Sequence, residues 1–205
     1  MIHHLAEQIP AIYERYAHEW DADRNRTNWN DRGWHDRFAT CLTEGATVLD
    51  LGCGSAMPVA HHLVQHGLRV TGVDTSPTLI ALCRERFPDQ EWVVSDMRAV
   101  AFGRQFDGIL GWDSFFFLPH DDQRNMFKVF ADHAAPSAYL MFNTGTKYGE
   151  AMGEYRGELL YHASLDSAEY QMLLDQWGFD VVAHTVEDST AGGRTVWLAQ
   201  SRRRS

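Results

Sequence analysis

The stretch with the clearest chemical potential is Thr47 to Pro58, TVLDLGCGSAMP. Val48, Leu49 and Leu51 are a short aliphatic run of the kind found in a buried parallel strand. Gly52 and Gly54 come next. Glycine accepts positive φ and puts no Cβ between the backbone and a ligand. Pro58 suits the first turn of a helix, where a missing N–H loses nothing. Strand, turn and helix start are expected to offer backbone donors and a positive dipole end. The same glycines also suit a plain tight turn, so the partners of this stretch have to decide.

Those partners are acids spaced along the chain. Arg69 to Asp74, RVTGVD, reads as a second strand, and its terminal carboxylate falls about twenty positions after the glycine turn. In a parallel sheet Asp74 stands at the carboxyl edge, where it can accept both hydroxyl hydrogens of a ribose. Asp96 and Met97 come after a third strand, EWVVS, and Asp113 after a fourth, FDGILGW. Beyond Asp113 a run of three phenylalanines, Phe115 to Phe117, lies where a catalytic mouth would open. Residues able to take a proton are His120, His162 and Tyr16, with Glu150 and Asp113 behind them; histidine titrates nearest neutrality. Tyr13, Tyr16 and Trp20 recur at helical spacing near the start of the chain. They serve either as core contacts or as a lid.

The elements that must hold these residues alternate. Helices are expected over Ile2–Asp23, with a break at Pro10, and after the polar loop Asn25–Asp31. Strands and helices then alternate to a fifth strand, Ala138–Asn143. The next stretch, TGTKYGEAMGEYRGELLYHASL, is rich in glycine and charge and reads as the longest irregular loop. Asp166 then caps a helix with Glu169 at the capping-box position. Phe179–Val186 and Thr195–Gln200 flank Gly192-Gly193 and read as an antiparallel hairpin. Repeated βα units imply an α/β fold with a mostly parallel sheet and helices on both faces.

Composition limits the partners. The chain has 205 residues, enough for one domain with a substantial core. Its formal net charge of −10 disfavours nucleic acid, which needs a basic surface. No apolar run is long enough to cross a membrane. MIHHLAEQIP lacks the basic, apolar character of an export signal, which points to the cytoplasm. Three scattered cysteines, Cys41, Cys53 and Cys83, read as reduced thiols. Eleven histidines show no H-E-x-x-H pattern, so a metal site stays open but is not signalled.

The first motif, D-x-G-x-G-x-A from Asp50 to Ala56, departs from the dinucleotide pattern G-x-G-x-x-G. It resembles the first motif of the class I S-adenosylmethionine (SAM)-dependent methyltransferases, of a bacterial small-molecule type. The likeness covers roughly Thr47 to Ala199. It implies a Rossmann-like methyltransferase fold, with a seven-stranded, mostly parallel sheet ending in an antiparallel hairpin. The whole of 1–205 would be one domain: a helical cap (1–44), a SAM-binding core (45–200) and a basic tail (201–205). Carried over by position, the resemblance gives Gly52, Cys53 and Gly54 to the methionine and ribose part of SAM, and Asp50 to its ammonium end. Asp74 would bind the ribose, Thr75 would flank the adenine, Asp96 and Met97 would recognise it, and the main chain of Trp112 would meet the methionine amine. Tyr13, Trp20, Asp113, Phe117 and Glu150 would face a small-molecule methyl acceptor. DSFF at 113–116 differs from the N-P-P-Y motif of amino-directed enzymes, against methylation of nucleic-acid adenine or protein glutamine. The acceptor atom stays open among oxygen, nitrogen, sulfur and carbon, and the assembly between monomer and homodimer. Two other readings are a SAM-binding protein without transfer activity and an NAD-dependent oxidoreductase.

Overall fold

The computed structural model describes residues 3–26 and 28–202. Nine strands form among these residues: β1 (Thr47–Leu51), β2 (Arg69–Asp74), β3 (Glu91–Val94), β4 (Phe106–Gly111), β5 (Ala134–Thr144), β6 (Gly149–Tyr155), β7 (Glu158–Ser164), β8 (Phe179–Asp188) and β9 (Arg194–Ser201). Seven pair in one sheet, in the order β3-β2-β1-β4-β5-β9-β8. The first five are parallel; β9 runs antiparallel to both β5 and β8. The chain builds outward from β1 to β3, then returns to lay β4 on the other side of β1. That reversal leaves a crevice at the carboxyl ends of β1 and β4, the usual ligand position in such sheets.

Alternation along β1 explains why both faces are covered. Val48 joins an apolar cluster with Val70, Leu110, Met141 and Leu198. It packs under α3 (Arg32–Thr40), α4 (Val59–Gln65) and α5 (Pro77–Arg86), through Phe38, Leu63 and Ile80. Leu49 and Leu51 belong to a second cluster with Ile109, Phe142 and Trp197. There they meet α6 (His120–His133) and α7 (Ser167–Gln176), through Phe127, Phe130, Tyr170 and Leu174. A strand buried on both faces reads as a continuous apolar run, as this one does. The helix caps form as expected: Ser76 accepts from Leu79 N, and Asp166 accepts from Glu169 N.

Two expectations need correction. The glycine-rich stretch after β5 is not an irregular loop: β6 and β7 pair antiparallel from Gly149↔Ser164 to Tyr155↔Glu158. Their turn, Arg156-Gly157, has φ of 51° and 85°, positive at both positions as a tight hairpin turn requires. An arginine in that role hides the turn from a composition-based reading. Second, the N-terminal segment breaks at Tyr16 rather than Pro10. A 3-10 turn (His3–Gln8) leads into α1 (Ile9–Arg15), with Pro10 in its first turn, and α2 (Ala17–Arg26) comes next. Ile9 and Ile12 pack against Leu160, Tyr161 and Ala163 of the hairpin. The N-terminal helices, braced by the hairpin, therefore cover the crevice. Of the basic tail, Arg202 pairs with Asp175 and Asp180; 203–205 lie outside the described residues.

Candidate active site

A cavity of about 450 Å³ opens at the carboxyl edge of the sheet. Each of the first four strands supplies lining residues from the loop at its carboxyl end. Gly52 and Gly54 come after β1, Asp74 and Thr75 close β2, Asp96 and Met97 come after β3, and Asp113 and Ser114 after β4. Tyr13, Trp20 and Phe117 form an aromatic wall. Tyr13 packs edge-on against Trp20 at 5.0 Å and, tilted, against Phe117 at 5.5 Å between ring centres.

The glycine turn is shaped by crowding. Gly52 has φ of 83°, and a Cβ there would stand 2.3 Å from Cβ of Ser114. Only glycine fits. The methyl end of Met97 lies 3.4 Å from that same point, so the Met97 side chain reaches across to the turn. The amides of the turn itself are already engaged. Gly52 N and Cys53 N both donate to Val73 O, at 2.7 and 3.0 Å. Gly54 N donates to Asp74 Oδ2 at 2.9 Å. The turn shows a ligand bare backbone rather than N–H groups, and α4 starts only at Val59, several residues on. A phosphate would lack the donors it normally takes from a helix N-terminus.

Carboxylates dominate the rest. Asp74 also accepts from Ser76 N at 3.0 Å, which leaves lone pairs on both oxygens for a ligand. Burial raises the Asp74 pKa against the pull of its backbone donors. Asp50, fully enclosed beneath the turn, is pushed up to about 7, by burial first and then by the charge of Asp74. Burial also works against charge on Asp96 and Asp113, yet both stay below the ordinary range because Arg98 grips one and Arg194 the other. Asp113 accepts from Arg194 Nε at 2.8 Å, Arg194 Nη2 at 2.7 Å and Asn143 Nδ2 at 2.7 Å. An acid-rich cavity with few free cations suits a positively charged ligand.

The aromatic wall is anchored from outside. Glu14, next to Tyr13, accepts from the Ser76 hydroxyl and from Thr78 Oγ1 at 2.7 Å, at the start of α5. Asp21, next to Trp20, takes a two-pronged pair from Arg86 at 2.6 Å. Tyr13 and Trp20 thus each sit beside an acid clamped to α5.

Several expected residues lie elsewhere. His120 is buried outside the cavity, with Nε2 at 3.1 Å from the carbonyls of Gly149 and Ser164, so it pins the β6–β7 hairpin to α6. His162 sits behind Phe117 at 5.1 Å between ring centres, its pKa lowered by burial. Tyr16 packs on Tyr155, and Glu150 accepts from the Tyr161 hydroxyl. Trp112 is buried with its indole N–H on Asp31, and the Cys53 side chain turns toward Cys83 and the Gly54 carbonyl. None of these side chains, nor that of Asp50, lines the cavity. Residues that sequence reasoning missed do: His4, Glu7, Ile9 and Pro10 form a roof, and Arg98 and Asp122 a rim. Nothing in the early segment marks His4 or Glu7, because their role depends on where a 3-10 turn lands. His62-x-x-x-His66 is different: its spacing puts both rings on one helix face and is legible in the chain itself.

Residues 48–137 match a family model described as a methyltransferase domain. Over these residues, from β1 into β5, the chain is similar to a methyltransferase domain. Among curated proteins, it is 32% identical over 111 residues to a trans-aconitate 2-methyltransferase of Azoarcus sp. strain BH72, covering 53% of this chain and 43% of that one. It is 33% identical over 119 residues to a cypemycin N-terminal methyltransferase of Streptomyces sp., covering 55% and 48%. The match thus spans less than half the length of these relatives. Among solved structures, the fold of the Burkholderia thailandensis 1,6-didemethyltoxoflavin-N1-methyltransferase, bound to 1,6-didemethyltoxoflavin and S-adenosylhomocysteine, aligns with a TM-score of 0.77. Identity there is 17%, over 98% of this chain and 91% of that one. A SAM-bound amino pentose methyltransferase from Micromonospora echinaspora aligns at 0.68 with 18% identity, over 89% and 95%. The seven-stranded sheet with its antiparallel end is the methyltransferase version of the Rossmann-like fold. Among the described residues, no helix is long and apolar enough to cross a membrane.

Proposed function

We propose that this chain transfers a methyl group from SAM to a small-molecule acceptor held under the N-terminal roof. One observation carries the reading: the turn at Gly52–Gly54 keeps its amides to itself and faces, with Asp74, into an acid-lined cavity. That surface fits a cationic sulfonium with a ribose better than the pyrophosphate of a dinucleotide, which favours SAM over NAD.

The residues present fit that cofactor. Asp74 would accept the two ribose hydroxyls with its free lone pairs. Met97 would lie along the adenine, with Asp96 and the main chain beside its edge. Asp50 lies beneath the turn, where a positive ammonium group would lower its raised pKa. SAM, when bound, supplies a methyl group on a positive sulfur. What the protein adds is position and dryness. Tyr13, Trp20 and Phe117 wall off water, and burial beside Asp113 and Asp74 raises the Tyr13 pKa, which keeps its hydroxyl protonated. Alignment of this kind can lower a barrier by roughly 7–11 kcal/mol. Where the acceptor must shed a proton, His4 and Glu7 of the roof would be the groups to receive it.

The aromatic wall supports a flat or cationic acceptor. The net charge of −10 supports an acceptor other than nucleic acid. Three free thiols support a cytoplasmic site of action. Assembly is read as monomer or homodimer. Calorimetric titration with S-adenosylhomocysteine, then a metabolite-pool screen with methyl-labelled SAM, tests the proposal. Absence of heat with folded protein removes SAM; binding with no labelled product removes transfer.

A further inference from the structure

His62 and His66 stand one turn apart at the end of α4, and Asp36 of α3 faces them. One ligating atom from each lies within 4.8 Å of the others. His62 is 4% exposed. Its Nε2 is 2.8 Å from Asp36 Oδ1, yet this nitrogen has no hydrogen-bond partner of proper direction among the described residues. A buried imidazole nitrogen beside a carboxylate oxygen, but out of line for a bond between them, leaves a position that a shared cation would satisfy. His66 Nδ1 lies 2.9 Å from the His62 carbonyl. A carbonyl can only accept, so the proton sits on Nδ1 and a neutral ring keeps its Nε2 lone pair free. A backbone carbonyl that fixes the tautomer in this way prepares a histidine for a metal.

The surroundings agree. Trp29 packs edge-on against His62 at 5.0 Å and closes the inner side. The site lies at a helix C-terminus, where positive charge is favoured. Arg32 approaches Asp36 Oδ2 at 3.5 Å, but its side chain is 62% exposed and free to swing aside.

We propose that Asp36, His62 and His66 form a binding site for a zinc-class divalent cation that ties α3, in the N-terminal cap, to α4 of the core. Two imidazoles and one carboxylate suit zinc, cobalt, nickel or copper, with water in the remaining position. Magnesium and calcium, which need a shell of oxygens, are disfavoured. The site stands apart from the cavity and does not depend on methyl transfer.

The test uses full-length protein without an affinity tag, stripped with chelator and titrated with zinc by calorimetry and with cobalt by absorption. One equivalent is expected to bind, cobalt giving the intense visible bands of a tetrahedral site, and zinc is expected to raise Tm. His66→Gln and Asp36→Asn alter exposed or half-exposed side chains, so folding is retained; each is expected to weaken zinc binding roughly tenfold or more. His61→Ala, on another face of α4, is expected to bind zinc as the parent does. Failure of the parent to bind zinc in modest molar excess overturns the proposal. So does an affinity unchanged in both His66→Gln and Asp36→Asn, which would place the metal on other histidines.

Discussion

The amide of Gly54 donates to the carboxylate of Asp74 across 2.9 Å, so the end of β2 holds the turn after β1 in shape. One carboxylate thus shapes the floor of the cavity and faces into it. Asp74→Ala is expected to weaken S-adenosylhomocysteine binding by about 1.5–3 kcal/mol, the worth of hydrogen bonds to a charged group. Calorimetry on the folded variant measures this, and an unchanged Kd would take Asp74 out of the site.

Gly52→Ala is expected to destabilise the fold by about 1–3 kcal/mol through overpacking and a left-handed φ. The clash is with Ser114, 2.3 Å from the new Cβ. Ser114→Gly, added second, is expected to restore part of the loss and not all, because the φ strain stays. Denaturant midpoints of the single and double variants decide; a double variant no better than Gly52→Ala would show the crowding argument to be mistaken.

Asp50 makes stability depend on pH with a definite sign. Its folded pKa of about 7 is above its ordinary value of 3.8. Below about pH 4 both states carry the proton and nothing is lost. Between about pH 4 and 7 the unfolded chain ionises first, so stability falls as pH rises. Above about pH 7 the native carboxylate is charged too, and the loss levels off at about 4 kcal/mol. Asp50→Asn is expected to stabilise the ligand-free protein at about pH 8 and to change it little below about pH 4, while weakening SAM. Urea unfolding at the two pH values measures the gap, and equal gaps would contradict the assignment.

The two histidines separate by role. His120→Ala is expected to lower Tm and leave kcat of the folded fraction unchanged, because its ring holds the hairpin outside the cavity. His4→Ala is expected to leave Tm unchanged. For an acceptor that loses a proton, it should lower kcat by roughly 10²-fold or more. A kcat loss in the first variant with a normal second would reverse the two roles.

Arg194→Met leaves Asp113 charged and without its main partner. The Asp113 side chain is 19% exposed, so water relieves part of the penalty, and a loss of about 3 kcal/mol is expected. Asp113→Asn in the same chain is expected to recover most of it. A double-mutant cycle from denaturation curves would show no coupling if the pair contributes only geometry.

Local patterns determined much of this. Val48-Leu49-x-Leu51 before two glycines specifies a buried strand and a turn, because an apolar run and free φ act on neighbours in sequence. Acids at the ends of β2 and β3 fall at the carboxyl edge for the same reason: a parallel sheet puts every such end on one side. Asp166 with Glu169 marks a helix start without any distant partner. The tertiary structure alone decided the rest. Gly52 and Cys53 lose their amides to Val73, and Gly54 to Asp74, only once β2 lies beside β1. His120 becomes a pin because the hairpin carbonyls reach it, and His4 enters the roof because Ile9 and Ile12 dock on a hairpin formed far along the chain. Such roles depend on groups far apart in sequence meeting at a few ångströms, and periodicity and propensity carry no information about that distance.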